Sequence, residues 1–468
     1  MVMPRALFVL RTKAAVLENL PTALALRGKN YVVEFLVDPA YAREQLPLIC
    51  EAGFPAFHPS GKQLDTVPAR KEGAASGEQH AKAHATLCSS SLRERCFRAL
   101  PSIVRDMLHY HSRLQRMRRF LVAHSPDIVI LSGDHQLGWE LACIKAANEL
   151  HLPSLITPYA VQFAEGIAVC RAHREDYVRH FRVSGILRHI VARVFPDWTF
   201  RYRGERMLYY PVAESLAAWL LGLMPSNPWT IGGGSATRMA VESEYARKIF
   251  SEDGVADEHM VTTGKPCNDD IAQAIAASSA EAVRAELGIP AGNQVLLCSI
   301  PQLAEHGLLS WEEHLKEVDF LLSTFALLPQ VSVLLSLHPK SDLARYQPLV
   351  AHHGAQVALQ RIYTLQPACD VFVAGVSSTV TQAIGIAKPS IVIDYFGLDD
   401  RHYYDDAPGV VMVREHEQLR PALKRVLHDR PYYDDLVAAQ KREGDRWALM
   451  DGRCTERMVT LIEEMIAR

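Results

Sequence analysis

Residues 370–394 read DVFVAGVSSTVTQAIGIAKPSIVID. An apolar run at 371–374 meets Gly375, then Ser377, Ser378 and Thr379, then a short helical segment that stops ahead of Pro389. A second apolar run, 390–393, follows at once. Strand, small-residue loop, helix and strand in so few residues make a βαβ unit of a parallel sheet. Its loop turns backbone N–H groups and hydroxyls toward one spot, where the start of the helix favours an anion. A phosphate site at the carboxyl edge of the sheet is the sharper reading, and an ordinary βαβ turn with a Ser/Thr cap is the simpler one.

The same alternation runs through most of the chain. Apolar runs at 6–10, 31–37, 128–131, 154–157 and 259–263 are predicted strands of a first half. Runs at 295–300, 331–337, 371–374, 390–393 and 410–413 are those of a second. Helical periodicity fills most of the gaps, notably at 16–27, 92–124, 311–328, 417–427 and 455–466. The expected fold class is α/β, with two doubly wound Rossmann-like domains facing a cleft. The first domain is expected over 1–275, with a helical, basic insertion at about 171–236, and the second over 276–468 with the C-terminal helices. Residues 60–82 lose periodicity and read as a surface loop.

Composition narrows the function classes. The 468 residues are 49% hydrophobic and 22% charged, as in soluble globular proteins. A formal charge of −3 gives no reason to expect nucleic acid as a partner. Nine cysteines without a C-x-x-C pair suggest neither a zinc site nor a disulfide framework, and fit a reducing cytoplasm. The first residues read as a strand rather than a signal peptide, and no stretch has the ~18 uninterrupted apolar residues of a membrane span. Residues 171–206 stand apart, with nine arginines against four carboxylates interleaved with Phe, Ile, Val and Trp198. That surface could rest on anionic lipid, holding a cytoplasmic protein at the inner face of the membrane, or be a solvated helix face.

Several segments together resemble the superfamily of GT-B glycosyltransferases and UDP-N-acetylglucosamine 2-epimerases. Residues 126–152 (PDIVILSGDHQLGWELACIKAANELHL) resemble the epimerases' strand–Gly-Asp–helix segment, and 261–271 (VTTGKPCNDDI) the Thr-Gly-x-Pro crossover that closes the first domain. Residues 375–389 resemble the Ser-rich, diphosphate-binding helix start of the second domain. Leu337-His338-Pro339-Lys340 and Asp451-Gly452-Arg453 are similar to segments of bacterial capsule and teichoic-acid type transferases. Departures matter too. Where the epimerases carry a catalytic Glu-Ala-Gly, this chain has Thr157-Pro158-Tyr159-Ala160. Where they carry His-Arg-Arg-Glu-Asn, it has Pro301 to His306. The nucleotide-contacting Glu of the family falls at or near Gln382. Proton abstraction at a sugar carbon needs an acid/base pair, and the expected members are gone.

The resemblance implies a glycosyltransferase that moves a sugar, or a related polyol phosphate, from a nucleotide diphosphate donor in surface-glycan (polysaccharide) biosynthesis. A nucleotide-sugar epimerase and a non-catalytic GT-B-shaped binding protein are the alternatives. The partners it implies are a nucleotide-sugar donor and a glycan or lipid-linked acceptor. Asp134 and His135, at the end of the 128–131 strand, are the candidate catalytic bases, with a helix cap as the plainer role for Asp134. Ser377, Ser378, Thr379 and Gln382 are candidate nucleotide ligands. His338 and Lys340, ending the 331–337 strand, could stabilise a departing diphosphate. Arg11 and Lys13 match, loosely, the superfamily's Gly-Thr-Arg segment near the phosphates. No Asp-x-Asp triplet is present and no metal or other cofactor is expected. The loop at 399–406 is expected to be solvated.

Overall fold

The structure, a computed structural model, describes residues 3–64, 101–158, 164–174, 176–277, 279–305, 307–337, 341–396 and 402–467. The run Ala-Leu-Phe-Val-Leu of β1 (Arg5–Leu10) is buried on both faces, as a central strand of a parallel sheet covered by helices must be. Around it stand β2 (Val32–Val37), β3 (Ala56–Phe57), β4 (Ile128–Leu131) and β5 (Ser154–Ile156). A small antiparallel hairpin, β6 (Thr199–Tyr202) with β7 (Glu205–Leu208), lies in the insertion expected to be helical, before β8 (Arg238–Val241) and β9 (Met260–Thr262). The first sheet is parallel throughout, in the order β3-β2-β1-β4-β5-β8-β9.

The second half repeats the plan with β10 (Gln294–Ser299), β11 (Val331–Ser336), β12 (Gln356–Ala358), β13 (Val371–Ala374), β14 (Ser390–Ile393) and β15 (Val410–Val413). Its order is β12-β11-β10-β13-β14-β15, again all parallel. In each sheet the strand order reverses direction once, between β1 and β4 in the first and between β10 and β13 in the second. At such a point the loops leaving adjacent strands run to opposite faces of the sheet, and it is there that ligands of open α/β sheets bind.

The last helix, Cys454–Ile466, departs from the expected division. It packs on the first sheet, where Met458, Ile462 and Met465 join Phe8, Phe35 and Ile128 in one core. An amphipathic helix buries its stripe against whichever sheet face is open, and Asp269 directs this one. The Asp269 carboxylate accepts from Cys454 N at 2.9 Å and Thr455 N at 2.7 Å, capping the helix from outside it. Gly264 belongs to the same joint. Its φ is +79°, and a Cβ there would fall 2.4 Å from Cys454 Sγ.

The halves also meet through aromatic rings. Tyr245, on the helix after β8, stacks on Trp447 with centroids 3.8 Å apart and donates to the Tyr403 carbonyl at 3.2 Å. Tyr403 and Tyr404 are 3% and 2% exposed. This part of the 399–406 loop is therefore core rather than solvated, because its rings close around Trp447. Residues 399–401 lie outside the described residues, as do residues 65–82 of the loop expected at 60–82.

Candidate active site

Two clusters stand at the two switch points. At the first, β1 delivers Arg11 and β4 delivers Ser132, Gly133, Asp134 and His135. Thr12 starts the following helix by accepting Ala15 N on its hydroxyl, and Lys13 is the first residue of that helix. Arg11 N donates to Ser132 Oγ at 3.3 Å. Arg11, Asp134 and His135 are thus brought to one edge, as the sequence suggested.

Asp134 is not an exposed base. It is 1% exposed, and its two carboxylate oxygens accept from Gly232 N at 2.7 Å and Gly234 N at 2.8 Å. Burial raises its pKa to about 6 against those two hydrogen bonds. The carboxylate holds a glycine loop, and a Cβ on Gly234 would lie 2.5 Å from Asp134 Oδ2, so only glycine lets the backbone come this close. His135 is also buried. Its Nε2 lies 3.1 Å from the Gln136 side chain, its carbonyl accepts from Tyr210 OH, and its ring faces Tyr209 edge-on. Above Tyr209 lies the Arg171 guanidinium, 3.9 Å from the ring centre.

A carboxylate that sequence reasoning passed over sits beside them. Glu140, in the first turn of the helix after β4, accepts from both the backbone N–H and the hydroxyl of Ser132. Burial pushes it up to about 7, with Arg11 acting in the opposite sense. A lone carboxylate on an otherwise apolar helix face, just after Gly-Asp, was the available signal. Further along the edge, Lys265 of the Thr-Gly-Lys-Pro crossover pairs with Glu242 at 2.6 Å, with both side chains below one-tenth exposed. Burial alone would lower the Lys265 ammonium, and Glu242 and Glu18 outweigh it and raise it.

At the second switch point, Gly375 packs against Pro301 at the end of β10, where a Cβ would lie 3.0 Å from Pro301 Cβ. The loop then turns into the helix Thr379–Gly385. Ser378 takes helical angles and makes no side-chain cap bond. The cap-like role falls one residue earlier, where Ser377 Oγ accepts from Thr379 N at 3.3 Å and lies 3.0 Å from Thr379 Oγ1. Ser377, Ser378, Thr379 and Gln382 are all half-buried. Tyr404 OH donates to the Ser377 carbonyl at 2.6 Å, fixing the loop from the aromatic joint. That contact was invisible in sequence, since the two residues are far apart in the chain. In the segment that follows β10, Glu305 Oε1 accepts from Ser341 Oγ at 2.7 Å and from Tyr346 OH at 3.0 Å. Those bonds hold its carboxyl below the usual range although burial works the other way. His338 and Lys340 lie outside the described residues. Among the described residues no group of three His, Cys, Asp or Glu is disposed to hold a metal ion.

Residues 234–464 match the family model described as CDP-Glycerol:Poly(glycerophosphate) glycerophosphotransferase. No curated protein matches the chain significantly. Among solved structures, the UDP-GlcNAc 2-epimerase from Neisseria meningitidis bound to UDP-GlcNAc is 12% identical, covering 99% of each chain with a TM-score of 0.53. The calicheamicin glycosyltransferase CalG4 is 14% identical over 100% of this chain and 99% of its own, with a TM-score of 0.55. A glycosyltransferase from Rickettsia africae is 9% identical over 99% of each, with a TM-score of 0.52. The chain thus has the fold of the superfamily that GT-B glycosyltransferases share with UDP-GlcNAc 2-epimerases.

Proposed function

We propose that this protein is a GT-B transferase that moves a glycerophosphate or glycosyl group from a nucleotide diphosphate donor to an acceptor hydroxyl, in surface-glycan biosynthesis. The observation that carries the reading is the family match over 234–464, which spans the whole second sheet and the Gly375–Thr379 loop at its switch point. It favours the glycerophosphate branch. The donor diphosphate would rest against Ser377, Ser378 and Thr379, with Gln382 one turn on and His338 and Lys340 from the neighbouring strand. Arg11 and Lys13 would approach from the opposite edge. Hydroxyls, N–H groups and these cations can neutralise the charge on the departing nucleotide without a metal.

The acceptor would lie over the first switch point. Both oxygens of Asp134 are committed to Gly232 and Gly234, so within the Asp134–His135 pair the base role falls to His135 and the positioning role to Asp134. In the glycerophosphate branch the acceptor oxygen attacks phosphorus, its proton passes to His135, and the nucleoside monophosphate leaves. In the glycosyl branch the attack is on the anomeric carbon and the nucleoside diphosphate leaves. Closure of the cleft would exclude water so that transfer outruns hydrolysis. Work at the cytoplasmic face of a membrane, with the Arg-rich segment 171–206 held against anionic lipid, would bring the enzyme to a lipid-linked acceptor.

The test is product analysis with CDP-glycerol and a panel of nucleotide sugars, each with and without a polyol-phosphate or glycan acceptor. Acceptor-dependent release of CMP or of a nucleoside diphosphate supports transfer and identifies the branch. An isomerised sugar without acceptor would make the protein an epimerase, and no turnover of any donor would leave it a binding protein.

A further inference from the structure

The insertion between β5 and β8 carries the helix Gly185–Val194, sequence GILRHIVARV. Only Val191 and Ala192 of this helix are buried. Ile186, Leu187, Ile190 and Val194 are 83%, 59%, 53% and 60% exposed. Spaced at i, i+1, i+4 and i+8, they form one apolar stripe directed at solvent, the reverse of an ordinary surface helix. Trp219 extends the stripe: it is 49% exposed and meets Phe195 edge-on, with ring centres 5.4 Å apart. On its other side, Ile186 and Leu187 border a groove of about 660 Å³ whose walls include Ile103, Val212 and Leu216. An exposed apolar area of this continuity marks an interaction surface.

The arginines around it divide into two sets. Arg171, Arg174, Arg182, Arg188 and Arg206 are turned to partners within the insertion. Arg188, for example, donates to the carbonyls of Val178, Arg179 and Arg182, and Arg206 to the Ala192 carbonyl. Arg179, Arg193, Arg201 and Arg203 are exposed. Residues 171–206 carry nine arginines and four carboxylates in a chain whose net charge is −3. An isologous contact with a second copy would set this positive surface against itself. A surface of opposite charge with an apolar layer beneath satisfies both features.

We infer that the helix Gly185–Val194 is the membrane-docking element of this protein, lying in the plane of an anionic lipid bilayer. Ile186, Leu187, Ile190 and Val194 enter the acyl boundary while Arg179, Arg193 and Arg201 meet the headgroups. The inference narrows the proposed membrane contact of segment 171–206 to one helix face. It assigns most of that segment's other arginines to internal structure, and the groove beside the stripe offers acyl chains an apolar recess. The base His135 is tied to the same insertion through the Tyr210 hydroxyl on its carbonyl, so docking would place the acceptor edge of the cleft near the bilayer.

The test is co-sedimentation of the full chain with phosphatidylcholine vesicles, with and without phosphatidylglycerol, for wild type and two variants. One carries Ile186→Ser, Leu187→Ser and Ile190→Ser; the other carries Arg179→Gln, Arg193→Gln and Arg201→Gln. All six positions are exposed or point to solvent, and circular dichroism checks that the fold is kept. Wild type should pellet with the phosphatidylglycerol vesicles. The serine variant should lose more than about tenfold in partition, and the glutamine variant should lose most of its dependence on phosphatidylglycerol. Wild type that stays in solution with both vesicle types overturns the inference. So does a wild-type dimer that the serine variant dissociates while vesicle binding is unchanged. Neither readout depends on turnover, so failure here is separable from failure of the proposed reaction.

Discussion

Replacing Tyr404 by Phe removes one oxygen and tests whether the Gly375–Thr379 loop is the donor site. The ring stays between Tyr403 and Trp447, so no cavity opens. What is lost is the 2.6 Å hydrogen bond to the Ser377 carbonyl. That carbonyl keeps a second donor, Val380 N at 3.0 Å, so no buried acceptor is left wholly unsatisfied. The cost is then that of a single net hydrogen bond, about 1 kcal/mol. If the loop binds the donor diphosphate and relies on this bond to keep its binding shape, the donor must re-order it in the variant, and up to the same free energy is lost from binding, a rise of at most roughly fivefold in the donor dissociation constant. Isothermal titration with the donor that turns over, or with its nucleotide, measures that constant, and urea denaturation measures the stability change. A variant destabilised by the expected amount whose donor affinity is unchanged would refute the chain of reasoning, since the loop would then be fixed by Tyr404 for packing alone.

Three further outcomes are expected. Ser378→Ala with Thr379→Ala should raise the nucleotide dissociation constant about tenfold, the equivalent of one or two hydrogen bonds; unchanged affinity by titration would remove the phosphate assignment. Glu140 titrates near 7 in the fold against an ordinary 4.5, so its contribution to stability is fully present below pH 4.5 and lost as pH rises through 7. Relative to Glu140→Gln, which has no such titration, wild type should lose about 3 kcal/mol over that range; a pH-independent difference in chemical denaturation would count against it. Lys265→Met should destabilise by about 3–5 kcal/mol by stranding the buried Glu242 carboxylate, and an unchanged urea midpoint would show that the pair contributes nothing.

The βαβ alternation was legible because a strand buried on both faces must be a continuous apolar run, and the 371–374 and 390–393 runs around Gly375 are short enough to exclude helices. The same logic located the ends of β1 and β4, and therefore Arg11, Asp134 and His135, at a sheet edge. The chemistry of those side chains was not legible in the same way. Asp134 looked like a base at a strand end, yet its charge is spent on Gly232 and Gly234, about a hundred residues further along the chain. Short-range pattern carries no information about such a partner. The triple glycine at 232–234 was visible, but nothing in the sequence said which carboxylate it would meet.

What the sequence determined by itself, then, was local: the period of the hydrophobic pattern, the small residues that let a loop turn, and the excess of arginine over carboxylate between 171 and 206. Only the tertiary structure decided the rest. It sent Cys454–Ile466 back to the first sheet because Asp269 caps it there. It enclosed Tyr404 in a ring cluster that holds Ser377. It tied five arginines of the basic segment to partners within the insertion while leaving Ile186 and Ile190 in solvent. Local pattern fixes which face of an element is apolar; what that face meets depends on residues brought close only by folding.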